Sequence, residues 1–453
     1  MNNALNFPAA FISRIQTQLA SEGNAFLASL EADPPVSIRI NPEKKILAGD
    51  EKIPWCSTGF YLTKRPSFTL DPLFHAGCYY VQDASSMFLE QVFQQLGLTE
   101  KKLLVLDACA APGGKSTHLA SLMSKDSMLV SNEVIGSRIP PLRENLVKWG
   151  SPNLLITNND PSAFTPFENL FDVILVDAPC SGEGLFRKDH DALEQWSELN
   201  CEINAARQQR ILTSLLPALK PGGLLIYSTC TFNPKENEEN VKWLLEYEKM
   251  DCQEFETKED WGIKNIKDKN CNAYAFLPHR TKGEGLFISV LRKKEENFAP
   301  LKLKVKSKAF GAPAGKFSHI NSWINNENGN FSIVQKDNLV FIQHKDWLPE
   351  IEFISQHARA VHSGTCMAEL KGDKAIPAHE LAMSILLKKN IFPQVEVDAA
   401  DALHYLRKEE FKTGPLEKGY ALITHQGYPL GFINFIGTRF NNYYPHAWRI
   451  RMK

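Results

Sequence analysis

Two cysteines stand where apolar runs stop. In "VILVDAPCSGEGL" (173–185) the run ends at Asp177, and a proline and Cys180 follow; in "LLIYSTCTFNP" (224–234) a similar run delivers Cys230. A short apolar run that stops at an acid or a thiol reads as a buried strand with chemistry at its end. A thiolate is a strong nucleophile toward carbon, and an acid beside it can hold or polarise a substrate. A third stretch, "LDACAAPGGKSTHLA" (106–120), sets Asp107, Cys109 and Lys115 around a loop of small residues.

The elements that must position these groups are regular between residues 100 and 293. The strands "KLLVLDACA", "SMLVSNEV", "NLLITNND", "FDVILVDAPC", "LLIYSTC" and "EGLFISVLRK" alternate with the helical stretches "GGKSTHLASLM", "SRIPPLRENLVKWG", "CEINAARQQRILTSLLPAL" and "NEENVKWLLEYE". This alternation predicts an α/β fold, a mostly parallel sheet with helices on both faces. Upstream, residues 5–30 carry helical spacing, and 34–45 read as a turn and short strand. "CYYVQ" reads as an aromatic strand, followed by a helix capped by Asp83 or Ser85. After residue 292 the chain turns rich in Lys, Pro, Ala and Gly, as at a linker, and the βα rhythm is lost. Within that stretch "LKLKVKSK" alternates like a strand with one basic face.

The loop 109–115 admits several readings. A phosphate loop needs a glycine where Cys109 stands, and a dinucleotide fingerprint is broken by Asp107, Cys109 and Pro112. A loop kept small only for packing remains open. The reading favoured here is adenosylmethionine in a Rossmann-like sheet, where glycines let backbone approach a ligand. Glu133, ending the next strand, would accept the ribose hydroxyls and repel a phosphorylated ribose. Asp160, ending the third, would face the adenine amino group. Either acid alone could be a solvated strand end, but Asp107, Glu133 and Asp160 end three successive strands. Lys115 fits a contact near the cofactor or Asp177, or simply a cation at a helix start.

In open parallel sheets ligands sit outside the carboxyl ends of the strands, where Asp177, Cys180 and Cys230 lie. Enzymes that methylate exocyclic amines offer Asp or Asn, Pro-Pro and an aromatic; here the run is Asp177-Ala178-Pro179-Cys180. A thiol does nothing for an amine that already owns a lone pair. It suits a pyrimidine C5, which becomes nucleophilic once a thiolate adds at C6. Cys78, Cys201, Cys252, Cys271 and Cys366 read as structural.

The motifs "ACAAPGGKSTHLA", "NE" followed by "SR", "VDAPCSGEGLFRK", "YSTCTFNPKENE" and "LPHRTKGEGLFIS" resemble, in order and spacing, those of RNA cytosine-C5 methyltransferases. "RPSFTLDPLFHAGCYYVQDASS" resembles that family's upstream motif, and the tail "LEKGYALITHQGYPLGFINFIGTRFNNYYPHAWRIRMK" resembles its PUA-like module. Within the family the chain is most similar to the RsmF type, because too few residues precede the core for the helical N-terminal domain of the RsmB type. The resemblance implies a class I, Rossmann-like core dependent on S-adenosyl-L-methionine, a small N-terminal α+β region and a β-rich PUA-like end. The expected divisions are 1–75, 76–293 for the core, 294–384 for a linker and intermediate region, and 385–453 for the PUA-like domain. It further implies that Cys109, Ala110, Ala111, Pro112, Gly113, Gly114 and Lys115 surround the cofactor, with Glu133, Arg138, Asp160 and Asp177. Cys230 is then the nucleophile, and Cys180 helps break down the covalent product. Asp177, protonated or sharing a proton, would hold N3 of a cytosine taken out of its stack. DNA cytosine methyltransferases attack with the Pro-Cys cysteine instead, so the Thr-Cys motif points to RNA.

Bulk properties add limits. A net charge of −1 gives no global electrostatic case for nucleic acid, so any such case is local. Residues 411–453 hold six Lys or Arg, one acid and nine aromatics, which suits RNA or the core of a small barrel. Nine cysteines without CxxC spacing argue against a disulfide framework or structural zinc and for a reducing cytoplasm. No apolar run spans a membrane, and the N-terminus lacks the plan of a signal peptide. The expected partner is RNA, as 16S rRNA or the 30S subunit, with no membrane or DNA partner and a monomeric chain. Two rivals stand: the same chemistry on tRNA, and a non-catalytic RNA-binding assembly factor.

Overall fold

The computed structural model describes residues 6–46, 49–247, 250–268, 271–295, 303, 315–414 and 416–452. The strand expected in "LKLKVKSK" lies almost wholly outside them.

The chain begins with helices α1 (Ala9–Leu19) and α2 (Gly23–Glu31), whose buried Phe11, Ile15 and Phe26 follow the helical period. They pack on Phe186, Trp196 and Phe232 of the core. That sheet is antiparallel, built from β1 (Val36–Ile40), β2 (Glu51–Lys52), β3 (Gly59–Leu62) and β4 (Tyr79–Val81), in the order β2-β3-β1-β4. Helix α3 (Pro72–His75) starts at Asp71, whose side chain accepts from Leu73 N. Because β4 pairs with β1, this sheet continues past residue 75, where a domain boundary was expected. Asp83 accepts from Ser85 N in the turn ahead of α4 (Leu89–Gln95), but neither residue caps that helix, whose N-cap is Phe88 without a side-chain bond.

The core alternates as expected: β5 (Leu104–Asp107), α5 (Gly114–Leu122), β6 (Met128–Asn132), α6 (Ile139–Trp149), β7 (Leu154–Thr157), β8 (Phe171–Asp177), α7 (His190–Gln195), α8 (Glu198–Leu215), β9 (Leu219–Thr229) and α9 (Glu238–Tyr247). It closes with β10 (Met250–Cys252), β11 (Lys264–Asp268), β12 (Cys271–Phe276) and β13 (Leu286–Lys293). Strands β7-β6-β5-β8-β9 are parallel neighbours, and β13 lies antiparallel to β9. These strands are buried on both faces, which is why they read as unbroken apolar runs. "KPGG", expected as a turn before β9, is a bulge within it: Phe171 pairs with Leu219 but Val173 with Leu224.

The stretch expected as a linker and intermediate region is part of the architecture. From residue 315 it carries β14 (Phe331–Lys336), β15 (Leu339–His344), α10 (Leu348–His357), β16 (Ala360–Ser363), β17 (Thr365–Lys371), β18 (Lys374–Pro377) and α11 (His379–Met383). Four of these strands form a sheet, in the order β14-β15-β17-β18, but β16 leaves it and pairs antiparallel with β7, so this region completes the core sheet. The C-terminal sheet comprises β19 (Gln394–Glu396), then after α12 (Ala399–Arg407) β20 (Gly419–His425), β21 (Tyr428–Phe435) and β22 (Phe440–Asn442). Tyr405 and Leu406 of α12, with Ile423 and Ile433 of this sheet, share one apolar cluster with Ile38, Ile40 and Tyr79 of the first sheet. The two ends of the chain therefore bury surface against each other. Among the described residues no helix is long and apolar enough to cross a membrane.

Candidate active site

Parallel strands put all their carboxyl ends on one edge. There β5 ends at Asp107, β6 is followed by Glu133, β8 ends at Asp177, and β9 leads into Cys230. Since β8 lies between β5 and β9, Asp177 stands between the loop of Cys109 and that of Cys230. Backbone bonds continue the ladders past the strand ends, from Ala108 N to Leu175 O and from Ala178 N to Ser228 O.

The loop Cys109–Gly114 is shaped by its neighbours. Gly113 has φ +110°, in the region that glycine tolerates, and a Cβ there would lie 3.3 Å from Leu142. Glu133 is buried; its carboxylate accepts from Ala111 N (3.3 Å) and Ile135 N (2.9 Å). Arg138 donates to Ala111 O (2.6 Å) and stands 3.5 Å from Glu133. Thus Ala110–Gly114, Glu133 and Arg138 meet as one constellation. Asp160 sits further out: it caps the turn Pro161–Phe164 through Ser162 N and pairs with Arg210 of α8 at 3.1 Å.

Three observations make this edge fit adenosylmethionine, which carries a sulfonium, an ammonium, a ribose and an apolar adenine. One oxygen of fully buried Asp107 has no hydrogen-bond partner; the other accepts from Ser116 at 2.6 Å. Burial pushes the Asp107 carboxyl up to about 7, so the site gains from an approaching cation. Val134 and Ile135, 53% and 49% exposed, offer a bare apolar surface directly after Glu133. These two were missed at the sequence level, where "EV" reads as an ordinary strand end.

At the next two strand ends the thiols of Cys180 and Cys230 lie 3.1 Å apart, both partly exposed. The hydrogen bond to Cys230 and burial hold the Cys180 thiol well above the usual range, so it stays protonated. Lys115 reaches from the start of α5 to Asp177 at 2.7 Å, and Ser228 donates to the other Asp177 oxygen at 2.8 Å. The field of Asp177 keeps the Lys115 ammonium charged despite its burial. A thiol pair, a carboxylate and a cation are thereby gathered at adjoining strand ends.

Three family models match the chain: the N-terminal domain of 16S rRNA methyltransferase RsmF over residues 7–84, 16S rRNA methyltransferase RsmB/F over 94–292, and the methyltransferase RsmF PUA domain over 392–450. Ribosomal RNA small subunit methyltransferase F of Erwinia tasmaniensis is 30% identical over 97% of this chain and 96% of its own length. The same-named protein of Shewanella loihica is 33% identical over 87% of this chain and 83% of its own. The chain belongs to the RsmF family of 16S rRNA methyltransferases. As an RsmF-family member it is an enzyme that methylates RNA with adenosylmethionine. A methyltransferase homolog protein from Pyrococcus horikoshii has a solved structure that superposes with a TM-score of 0.54 at 28% identity, covering 64% of this chain and 96% of that one.

Sequence reasoning also missed one buried acid of this RsmF-family chain, Glu236. Glu236, fully buried, accepts from the backbone and hydroxyl of Ser181 (2.9 and 2.5 Å) and from Gln208 (3.0 Å), fixing the residue next to Cys180. The signal was present: "PKENE" puts an acid inside a segment whose backbone turns back into the core.

Proposed function

We propose that this chain methylates C5 of a cytosine of 16S rRNA, in the decoding region of the small subunit, through a covalent bond between Cys230 and C6. The observation that carries this reading is the thiol pair of Cys180 and Cys230 beside the Lys115–Asp177 ion pair. A pyrimidine carbon needs a nucleophile and a separate acid-base group, and the site offers both. The Cys230 thiolate adds to C6 of a flipped-out cytosine; the C5–C6 π electrons move into the ring, and N3 is protonated from the proton shared by Lys115 and Asp177. Asp177 also accepts from the exocyclic amine. Adenosylmethionine, held by Cys109–Gly114, Glu133 and Arg138, with Asp160 beside the adenine, supplies the methyl group that C5 takes up. A base, such as solvent water, then takes the C5 proton; the C5–C6 double bond re-forms as the C6–S bond breaks and Cys230 leaves as thiolate, N3 returns its proton to the Lys115–Asp177 pair, and the Cys180 thiol aids release by hydrogen-bonding the departing sulfur.

The chain acts as a monomer in the cytoplasm, with its PUA-like end on the RNA. Cys230→Ala abolishes methylation. Cys180→Ala leaves protein covalently held on RNA, seen as a retarded band on a denaturing gel. Trapping by Cys230→Ala but not by Cys180→Ala reverses the two roles. Bisulfite sequencing of 16S rRNA from a deletion strain identifies the cytosine, and no lost mark in 16S rRNA refutes the substrate.

A further inference from the structure

The segment Cys230–Phe232 is tied by a set of hydrogen bonds, most of which come from outside its own strand. Gly184 N donates to Cys230 O at 2.8 Å, and the hydroxyls of Thr231 and Ser181 lie 2.8 Å apart. Phe232 N donates to Glu183 Oε2 at 3.0 Å. Phe232 O accepts from Gln18 (3.0 Å) and Arg14 (3.3 Å), both on helix α1. The Phe232 ring stands edge-on to Phe26 of α2, with centroids 4.8 Å apart.

Glu183 is the centre of this arrangement. It is fully buried, and its Oε1 accepts from Arg14 at 2.6 Å and from Trp196 Nε1 at 2.8 Å. It lies three residues after Cys180 and bonds two residues after Cys230, so one carboxylate joins both thiol-bearing loops to the first helix. A buried charge with three converging donors holds one geometry, because losing any donor leaves an unsatisfied charge. None of these groups reaches the reacting atoms.

We infer that Glu183 and Arg14 are positioning residues for the reaction: through them, docking of α1 and α2 on the core fixes the placement of the Cys230 thiol against that of Cys180. This rests on the proposed role of Cys230. It gives the N-terminal helices a task distinct from gripping RNA, since they set the nucleophile even when no RNA is bound. A nucleophile displaced by a fraction of an ångström loses rate without losing substrate affinity.

The test uses the full chain and the variants Arg14→Met, Arg14→Lys and Glu183→Gln. In RNA-free protein the alkylation of Cys230 and Cys180 by iodoacetamide is followed by peptide mass mapping. Single-turnover methylation is measured at saturating RNA, alongside the KM for RNA, adenosylmethionine affinity and thermal melting. Arg14→Met is expected to change the Cys230:Cys180 alkylation ratio at least fivefold and to slow methylation at least tenfold. KM and cofactor affinity stay within twofold, and Arg14→Lys recovers at least half of the lost rate. An alkylation ratio and rate within twofold of the parent overturn the inference. So does a raised KM with an unchanged rate, which makes Arg14 an RNA contact. Should Glu183→Gln fail to fold, the two Arg14 variants decide alone. If the parent protein methylates no RNA, the proposed function fails, while the alkylation ratio still decides the coupling.

Discussion

Gly184→Ala tests the placement of the nucleophile by geometry alone. A Cβ at this position would lie 2.8 Å from Cys230 O and 2.9 Å from Glu284 O, both backbone atoms. Neither can rotate away as a side-chain tip can. To reach an ordinary contact of 3.4 Å the Cys230 carbonyl must retreat by about half an ångström, and the bond from Gly184 N must stretch with it. Overpacking of this kind costs about 1–3 kcal/mol of stability. The catalytic cost follows separately: a misplacement of 1 Å costs on the order of 10²-fold, so half of that costs roughly tenfold, or about 1.4 kcal/mol. The assay is single-turnover transfer of a labelled methyl group from adenosylmethionine to saturating RNA, paired with thermal melting. Gly414→Ala, whose Cβ would meet nothing within 4 Å, is the control and leaves both readings unchanged. A Gly184→Ala enzyme with a rate within twofold of the parent refutes the claim that Cys230 is rigidly registered against this turn.

Lys115→Met removes the cation 2.7 Å from Asp177 and with it the shared proton, so methylation slows by roughly 10²–10⁴-fold, the range of one general acid-base group. Pre-steady-state kinetics check this, and a loss confined to cofactor affinity refutes it. Burial lifts the folded-state pKa of Asp107 to about 7 from 3.8, so between these values the folded chain keeps a proton that the unfolded chain releases. The stability this proton gives is complete below about pH 4 and is lost as pH rises through 7. Asp107→Asn therefore flattens the fall in melting temperature between pH 5 and 8; an unaltered slope contradicts the assigned burial.

The core was legible because its strands are buried on both faces and its helices are not. Unbroken runs such as "VILVD" and "LLIYST" therefore alternate visibly with amphipathic stretches. Asp107, Glu133, Asp177, Cys180 and Cys230 could be located from those runs, since a strand end fixes where the next side chains must lie. Contacts between segments far apart in sequence were not legible. Nothing local to "AVHS" marks it as the partner of β7, because its pairing is written in the edge of another strand. Arg14 reads as the polar face of an amphipathic helix until Glu183 is seen beside it. Asp160 read as the acid that faces the adenine, and its ion pair with Arg210, fifty residues on, could not be seen from the strand end alone. Side-chain chemistry at strand ends follows from periodicity, whereas the partners of a buried charge follow only from the assembled fold.

The antiparallel strand Ala360–Ser363 has a consequence for how the chain is made. Strand β7, "LLIT", is synthesised roughly two hundred residues before the segment that covers its outer edge; at about 5–20 residues per second the gap is on the order of 10–40 s. During that interval the nascent chain can assemble β6, β5, β8 and β9 while an apolar, unpaired sheet edge faces the crowded surroundings of the ribosome. A polypeptide halted after residue 293 would keep that edge for good. The C-terminal third thus serves as a late seal, and premature termination yields a sticky protein rather than a smaller one.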